Sequence, residues 1–256
     1  MQDMDVGQGH PGAVAAEPLR LDLGRLGRAV VIASAVIWGL GVVREIVIGA
    51  VGAETILEDL RQIWLDVEHS LPAWYSSVLM LGIGAVLALI ARLLRREGGR
   101  DTRRWSLLAL IFVAMAVDEA VSFHEVLIDP VRNLVNGSGI FHFAWVIPGA
   151  IGVFALGLYF LPFLLRLPRR IGWLFAASGA LYVGGALGLE MVGGAMADAF
   201  GTASPAYIAA FVVEEGLEIA GLTAFLLSLF AFIGARDVNW AMLVLEGRDG
   251  ERSVTA

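Results

Sequence analysis

"WSLLALIFVAMAVDEAVSFHE", residues 105–125, carries two signals that pull against each other. Its first twelve residues are apolar but for Ser106 and unbroken by proline or glycine, and Arg103 and Arg104 stand just before them. That is the pattern of a helix in lipid. Asp118, Glu119, His124 and Glu125 then arrive within eight residues. A charge at the centre of a span costs about 2.5–3.5 kcal/mol even on a lenient insertion scale. A chain therefore places these groups where something other than lipid faces them.

The whole chain reads the same way. It has 256 residues and is 58% hydrophobic, above the roughly one-half apolar content of soluble domains. It has no cysteine, which excludes disulfides, thiolate metal sites and cysteine nucleophiles. All 18 basic residues are arginine, the usage of a GC-rich bacterial genome. Residues 1–27 carry no apolar run, so no cleavable signal peptide is expected.

Six stretches are long and apolar enough to span: 29–50, 72–94, 105–128, 142–166, 171–198 and 205–234; a span needs about 20 such residues. The expected fold is all-α, a polytopic membrane bundle of six transmembrane helices over 28–235. Residues 1–27 and 236–256 form cytoplasmic tails, and no repeat or second domain is visible. Residues 54–69, "ETILEDLRQIWLDVEH", alternate apolar residues with acids and predict a short amphipathic helix on the outer surface. Arginines set the direction. Arg20, Arg25 and Arg28, six arginines in "RLLRREGGRDTRR" (92–104), then Arg166, Arg169 and Arg170, and finally Arg236 all fall on one side. Both termini are thus expected inside, in a bacterial cytoplasmic (inner) membrane.

At 1.5 Å per residue, depths below the outer surface follow. Asp118, Glu119, Glu214 and Glu215 lie roughly 14–15 Å down, Glu190 about 12 Å and Glu218 about 20 Å. His124 and Glu125 lie about 5 Å down, Arg44 and Glu45 roughly 8–9 Å, and His142 opens span four at the surface. Spans three, five and six each bring acids to one level, and the inner halves are nearly free of charge. On span five Val183, Ala186, Glu190, Gly193, Gly194 and Ala197 share a face whose small residues admit a neighbouring helix. Asp118, Ser122 and Glu125 share a stripe on span three, as do Glu214, Glu218, Tyr207 and Gly221 on span six.

Eight acids lie in the spans, opposed by Arg44 and two histidines. Arg44 is placed to neutralise Glu45 or Glu125, and Glu45 reads as its internal ion partner. His142 and Tyr207 also fit an interfacial role. The remaining acids must be protonated, hydrated or bound to a cation. Carboxylates with imidazole suit Zn, Mn or Fe, so a divalent metal is expected with Asp118, Glu190 and Glu214 as its core. Glu218, Glu125 and His142 are further candidate ligands. Glu119 and Glu215 are candidate general bases, and His124 a proton shuttle or ligand. Paired Glu-x-x-His motifs are absent, so carboxylate-bridged di-iron ligation is not supported.

"DEAVSFHE" (118–125) followed by "EEGLE" (214–218) resembles a group of bacterial six-span membrane proteins with a DE-x4-HE and EE-x2-E pattern. The resemblance covers spans three to six and implies no activity. More distantly, the site is similar to membrane hydrolases of the alkaline ceramidase type, which hold zinc between helices through several histidines; this chain has two near its site. Three functions fit. The first is a metal-dependent hydrolase acting on a lipid or other amphiphile from the outer side. The second is a cation- or proton-coupled transporter, against which stands the absence of an inverted repeat. The third is a non-catalytic receptor. The bilayer and an amphiphilic substrate are the expected partners; nothing points to nucleic acid.

Overall fold

Three of the helix starts are written locally. Asp22 accepts a hydrogen bond from the Arg25 N–H at 3.0 Å, and Ser70 and Ser204 accept from the Ala73 and Tyr207 N–H groups at 3.3 Å. Proline follows in the first turn of the last two helices, where its fixed φ suits a helix start. The computed structural model describes residues 22–52 and 60–236. Its helices are α1 (Leu23–Val51), α2 (Leu71–Arg96), α3 (Thr102–Val121), α4 (Ile128–Val135), α5 (Val146–Leu164), α6 (Arg169–Val183), α7 (Glu190–Phe200) and α8 (Pro205–Gly234). The described residues contain no strand.

Five elements are long and apolar enough to cross a membrane: α1, α2, α5, α8, and α6 with α7, which run as one 32-residue rod. The pair α3 and α4 makes a sixth candidate, bent by 76° at the break between them. A wide turn of π-helix, Gly184–Leu189, joins α6 to α7. Span five is therefore not the regular helix that its small-residue face suggested.

Span three also ends early. The sequence carried it to residue 128, but α3 stops at Val121. Ser122 turns into the left-handed region (φ 56°, ψ 43°) and donates its N–H to the Asp118 carbonyl. The Asp118 side chain then takes the His124 N–H at 3.0 Å. A side chain that offers a backbone N–H a new acceptor competes with the helix ladder, and here it wins. The stripe through Asp118, Ser122 and Glu125 is broken as a result.

The connection before α2 also departs from expectation. Its part at 54–59 lies outside the described residues. From residue 60 onward it is no amphipathic helix: a single 3-10 turn, Arg61–Ile63, leads into irregular chain. Leu65 is 2% exposed, seated on Gly41 so closely that a Cβ there would lie 2.4 Å from Leu65 Cγ. This strap dives into the bundle.

Helix α8 is the central post, touching α1, α2, α6 and α7, while α3 packs along α2. Two glycines let the backbones of α8 and its neighbours come close. A Cβ on Gly221 would sit 2.6 Å from the Tyr182 backbone nitrogen, and one on Gly185 would sit 2.8 Å from the Glu214 carbonyl oxygen. Ser34, Tyr75 and Thr223 tie α1, α2 and α8 together through hydroxyl bonds of 2.7 and 2.6 Å. At the arginine end Trp105 packs on Phe163, Phe175 and Phe232. Asp101 holds Arg166 there through two bonds, at 2.9 and 2.6 Å. Gly221→Ala should force α6 off α8 and lower stability by about 1–3 kcal/mol, the usual cost of overpacking. Thermal melting in detergent checks this; an unchanged midpoint would mean that the contact yields freely.

Contacts along the helices also set their relative heights. The Ser77 hydroxyl donates to the Ala116 carbonyl, which places the second turn of α2 level with the next-to-last turn of α3. Trp145, just before α5, lies 4.8 Å from His124. The acidic ends of α2, α3 and α5 therefore share one level. Phe232 of α8 is level with Trp105 of α3. Counting back along both helices, α8 continues about 16 Å beyond the end of α3.

Candidate functional site

At that shared level lies a cavity of about 250 Å³. Helix α3 contributes Asp118 and Glu119, and the turn beyond it His124 and Glu125. Glu190 comes from the start of α7, and Glu214, Glu215 and Glu218 from α8. The strap adds Asp66 and Glu68. Nine carboxylates and one imidazole thus face one space, and among the described residues no arginine lines it.

His124 is held from two sides. Nδ1 lies 2.9 Å from Asp118 Oδ2, and Nε2 lies 3.4 Å from Glu68 Oε1. Because α3 has ended, the histidine folds back onto Asp118 rather than standing a turn and a half above it, as the unbroken helix would have required. The Trp145 indole covers this group and donates to Glu190 Oε1 at 2.8 Å. Glu190 in turn is within hydrogen-bonding reach of Glu214, whose side chain is 8% exposed.

Asp66 accepts a hydrogen bond from the Tyr207 hydroxyl at 2.8 Å. Loss of surrounding water pushes Asp66 up to about 7, over the opposing effect of that bond; Glu190, Glu45 and Glu68 add to the rise. A carboxyl raised from 3.8 to about 7 favours the fold below pH 4, and that contribution falls away as pH rises through 7. Asp66 still keeps an exposed face, so solvent screens it. Asp66→Asn should therefore remove only a shallow acid-side slope from the pH–stability curve of the metal-free protein. A slope left unchanged between pH 4 and 7 would show that other carboxyls carry it.

Two residues named from the sequence stand apart. His142 faces Asp198, with Nδ1 3.5 Å from Oδ1, and is not among the cavity residues. Glu45 pairs with Arg44 at 2.5 Å, as expected, and Arg44 also lies 4.5 Å over the Trp64 ring. Tyr207 lines the cavity. Asp66 and Glu68 were missed, because their acidic connection read as surface. The signal that could have found them is Trp64–Leu65 just before the Ser70–Pro72 helix start, two large apolar residues that need a place to be buried.

Asp118, Glu190 and Glu214 line the same cavity. As the side chains stand, no group of three among the described residues could hold a metal ion. The contacting pair Glu190 and Glu214 is the natural starting point for a cation, since Asp118 already uses both oxygens on His124.

Residues 59–233 match the model of a family described as Domain of unknown function (DUF8692). Every cavity residue falls within that stretch. No curated protein and no solved structure matches the chain.

Proposed function

The chain belongs to the family of the domain of unknown function DUF8692, and from the cavity that this domain encloses we propose a multi-pass membrane protein that captures a divalent cation and uses it to hydrolyse a lipid or other amphiphile. One observation carries the reading: nine carboxylates with one imidazole around one cavity. So dense a set of acids needs positive charge, protons or water to offset its own repulsion, and a divalent ion meets that need with ligands of the right hardness. Glu190 and Glu214 would supply the first ligands. Held there, such an ion would supply hydroxide near neutral pH. Glu119 and Glu215 face the same space as candidate bases, and His124 is oriented by two carboxylates for proton transfer. Arginine placement supports an outward-facing site, with both termini in the cytoplasm. Calorimetric titration of purified protein with Mn²⁺ and Zn²⁺ tests the reading. Binding should saturate and weaken as pH falls, because protons compete for the carboxylates. No binding of either ion at pH 7 would overturn it.

A second reading has its own observation. The hydroxyl group formed by Ser34, Tyr75 and Thr223 lies on the arginine side of Glu218 and could pass protons onward. In that case the cavity would serve a cation- or proton-coupled transporter. Proton flux into vesicles that is abolished by Thr223→Val would favour it.

A further inference from the structure

Between its two ends, α5 is sealed against the bundle on no side. Its buried residues are Val146 near the acidic end and Phe160 and Phe163 near the other. Every residue from 150 to 159 is exposed, and a run of that length passes through all faces of a helix. The bundle-facing stripe runs through Gly149, Gly152, Val153, Leu156 and Phe160 by helical spacing. It makes contact at both ends: a Cβ on Gly149 would lie 3.1 Å from Leu187 Cδ2, and Phe163 packs on Trp105. Between them a Cβ on Gly152 would meet nothing within 4 Å, and Val153 and Leu156 are each 38% exposed. Helix α6 alongside presents Ala176, Ala177, Gly179 and Ala180, all exposed, and a Cβ on Gly179 also would meet nothing within 4 Å.

The open slot runs about 16 Å from Gly149 to Phe160, close to half of the roughly 30 Å hydrocarbon core of a bilayer. Its upper end meets the cavity at Trp145, the wall common to both. The indole donates to Glu190 on the cavity side, and on the slot side it lies 3.0 Å from where a Gly149 Cβ would be.

We propose that the slot holds the hydrocarbon chain of a membrane amphiphile whose head group bears no anionic group and rests in the acidic cavity. The proposal names the substrate class of the cation-binding site and rests on that reading. Nine carboxylates repel a phosphate or carboxylate head and attract an amine, for which Trp145, Tyr182 and Tyr207 supply aromatic faces. A gap lined by apolar atoms forfeits dispersion contacts until something apolar fills it. A helix from a second copy, about 10 Å across, is too thick to enter between elements that still touch at both ends.

The test uses full-length protein in phosphatidylcholine vesicles with hexadecylamine carrying a photoreactive diazirine in mid-chain. Labelling should fall on peptides covering residues 149–160 and 174–181. Unlabelled hexadecylamine should suppress it, and hexadecyl phosphate should not. Gly152→Leu with Gly179→Leu, which fills the slot, should reduce labelling at least about tenfold, the signature of losing roughly 1.4 kcal/mol of chain binding. The Mn²⁺ titration of that variant should stay unchanged, which also shows that it is folded. Equal suppression by the amine and the phosphate, or labelling indifferent to the filled slot, would identify ordinary surrounding lipid and overturn the proposal. Covalent dimers cross-linked through α5 would overturn it in favour of a second copy. Flat Mn²⁺ and Zn²⁺ titrations of wild type beside amine-selective labelling would remove the metal reading alone.

Discussion

Replacing Glu214 and Glu215 together by glutamine should weaken divalent-cation binding at least about a hundredfold, equivalent to some 2.7 kcal/mol, and leave the protein folded. Glutamine nearly keeps the shape of each side chain and removes two charges from a wall already crowded with them. Wild type held at a hundredfold excess of ion over its dissociation constant gains about 2.7 kcal/mol of stability by mass action. Chelator should strip that gain, and the double variant should show neither the gain nor its loss. Thermal melting in detergent at pH 7, with and without chelator, separates the cases. A wild-type curve indifferent to chelator would mean that protons alone settle the charge.

The second large effect concerns His124. Its ring stands between two carboxylates, Nδ1 2.9 Å from Asp118 and Nε2 3.4 Å from Glu68. His124→Leu should leave Glu68 and Asp118 facing each other without their shared partner and lower stability by about 1–3 kcal/mol, the usual cost of leaving buried polar groups unsatisfied. Chemical denaturation of metal-free protein checks this. A stability unchanged by the substitution would remove His124 from this role.

The helices were legible because each apolar run had nowhere to go but lipid or the bundle interior. Asp118, Glu190 and Glu214 line one cavity, but the common depth read from spacing assumed a helix running to residue 128, and α3 stops at Val121. The rest depended on tertiary choices that spacing cannot express. Asp118 ends its own helix by capturing the His124 N–H and ring, a competition between two acceptors that no periodicity reveals. The paired glycines at 184 and 185 sit where the helix widens, and that widening becomes necessary only once α8 presses against Gly185. Asp66 and Glu68 sat in a stretch whose charge implied water. Leu65 buried on Gly41 pulls that stretch inward, and the partner is some two dozen residues away on another helix.

The unequal helix lengths have a consequence for the surrounding bilayer. On the flank formed by α3, a 20-residue helix reaches about 30 Å, while on the flank of α8 a 30-residue helix reaches about 45 Å. No membrane of uniform thickness matches both. Hydrophobic mismatch of this kind is relieved by tilt or by local thinning, at fractions of a kcal/mol per Å. The short side matches a hydrocarbon core of about 30 Å, so the strain falls on the long side, which is expected to tilt or to stretch the leaflet beside it. The protein's function should accordingly vary with acyl-chain length in reconstituted membranes.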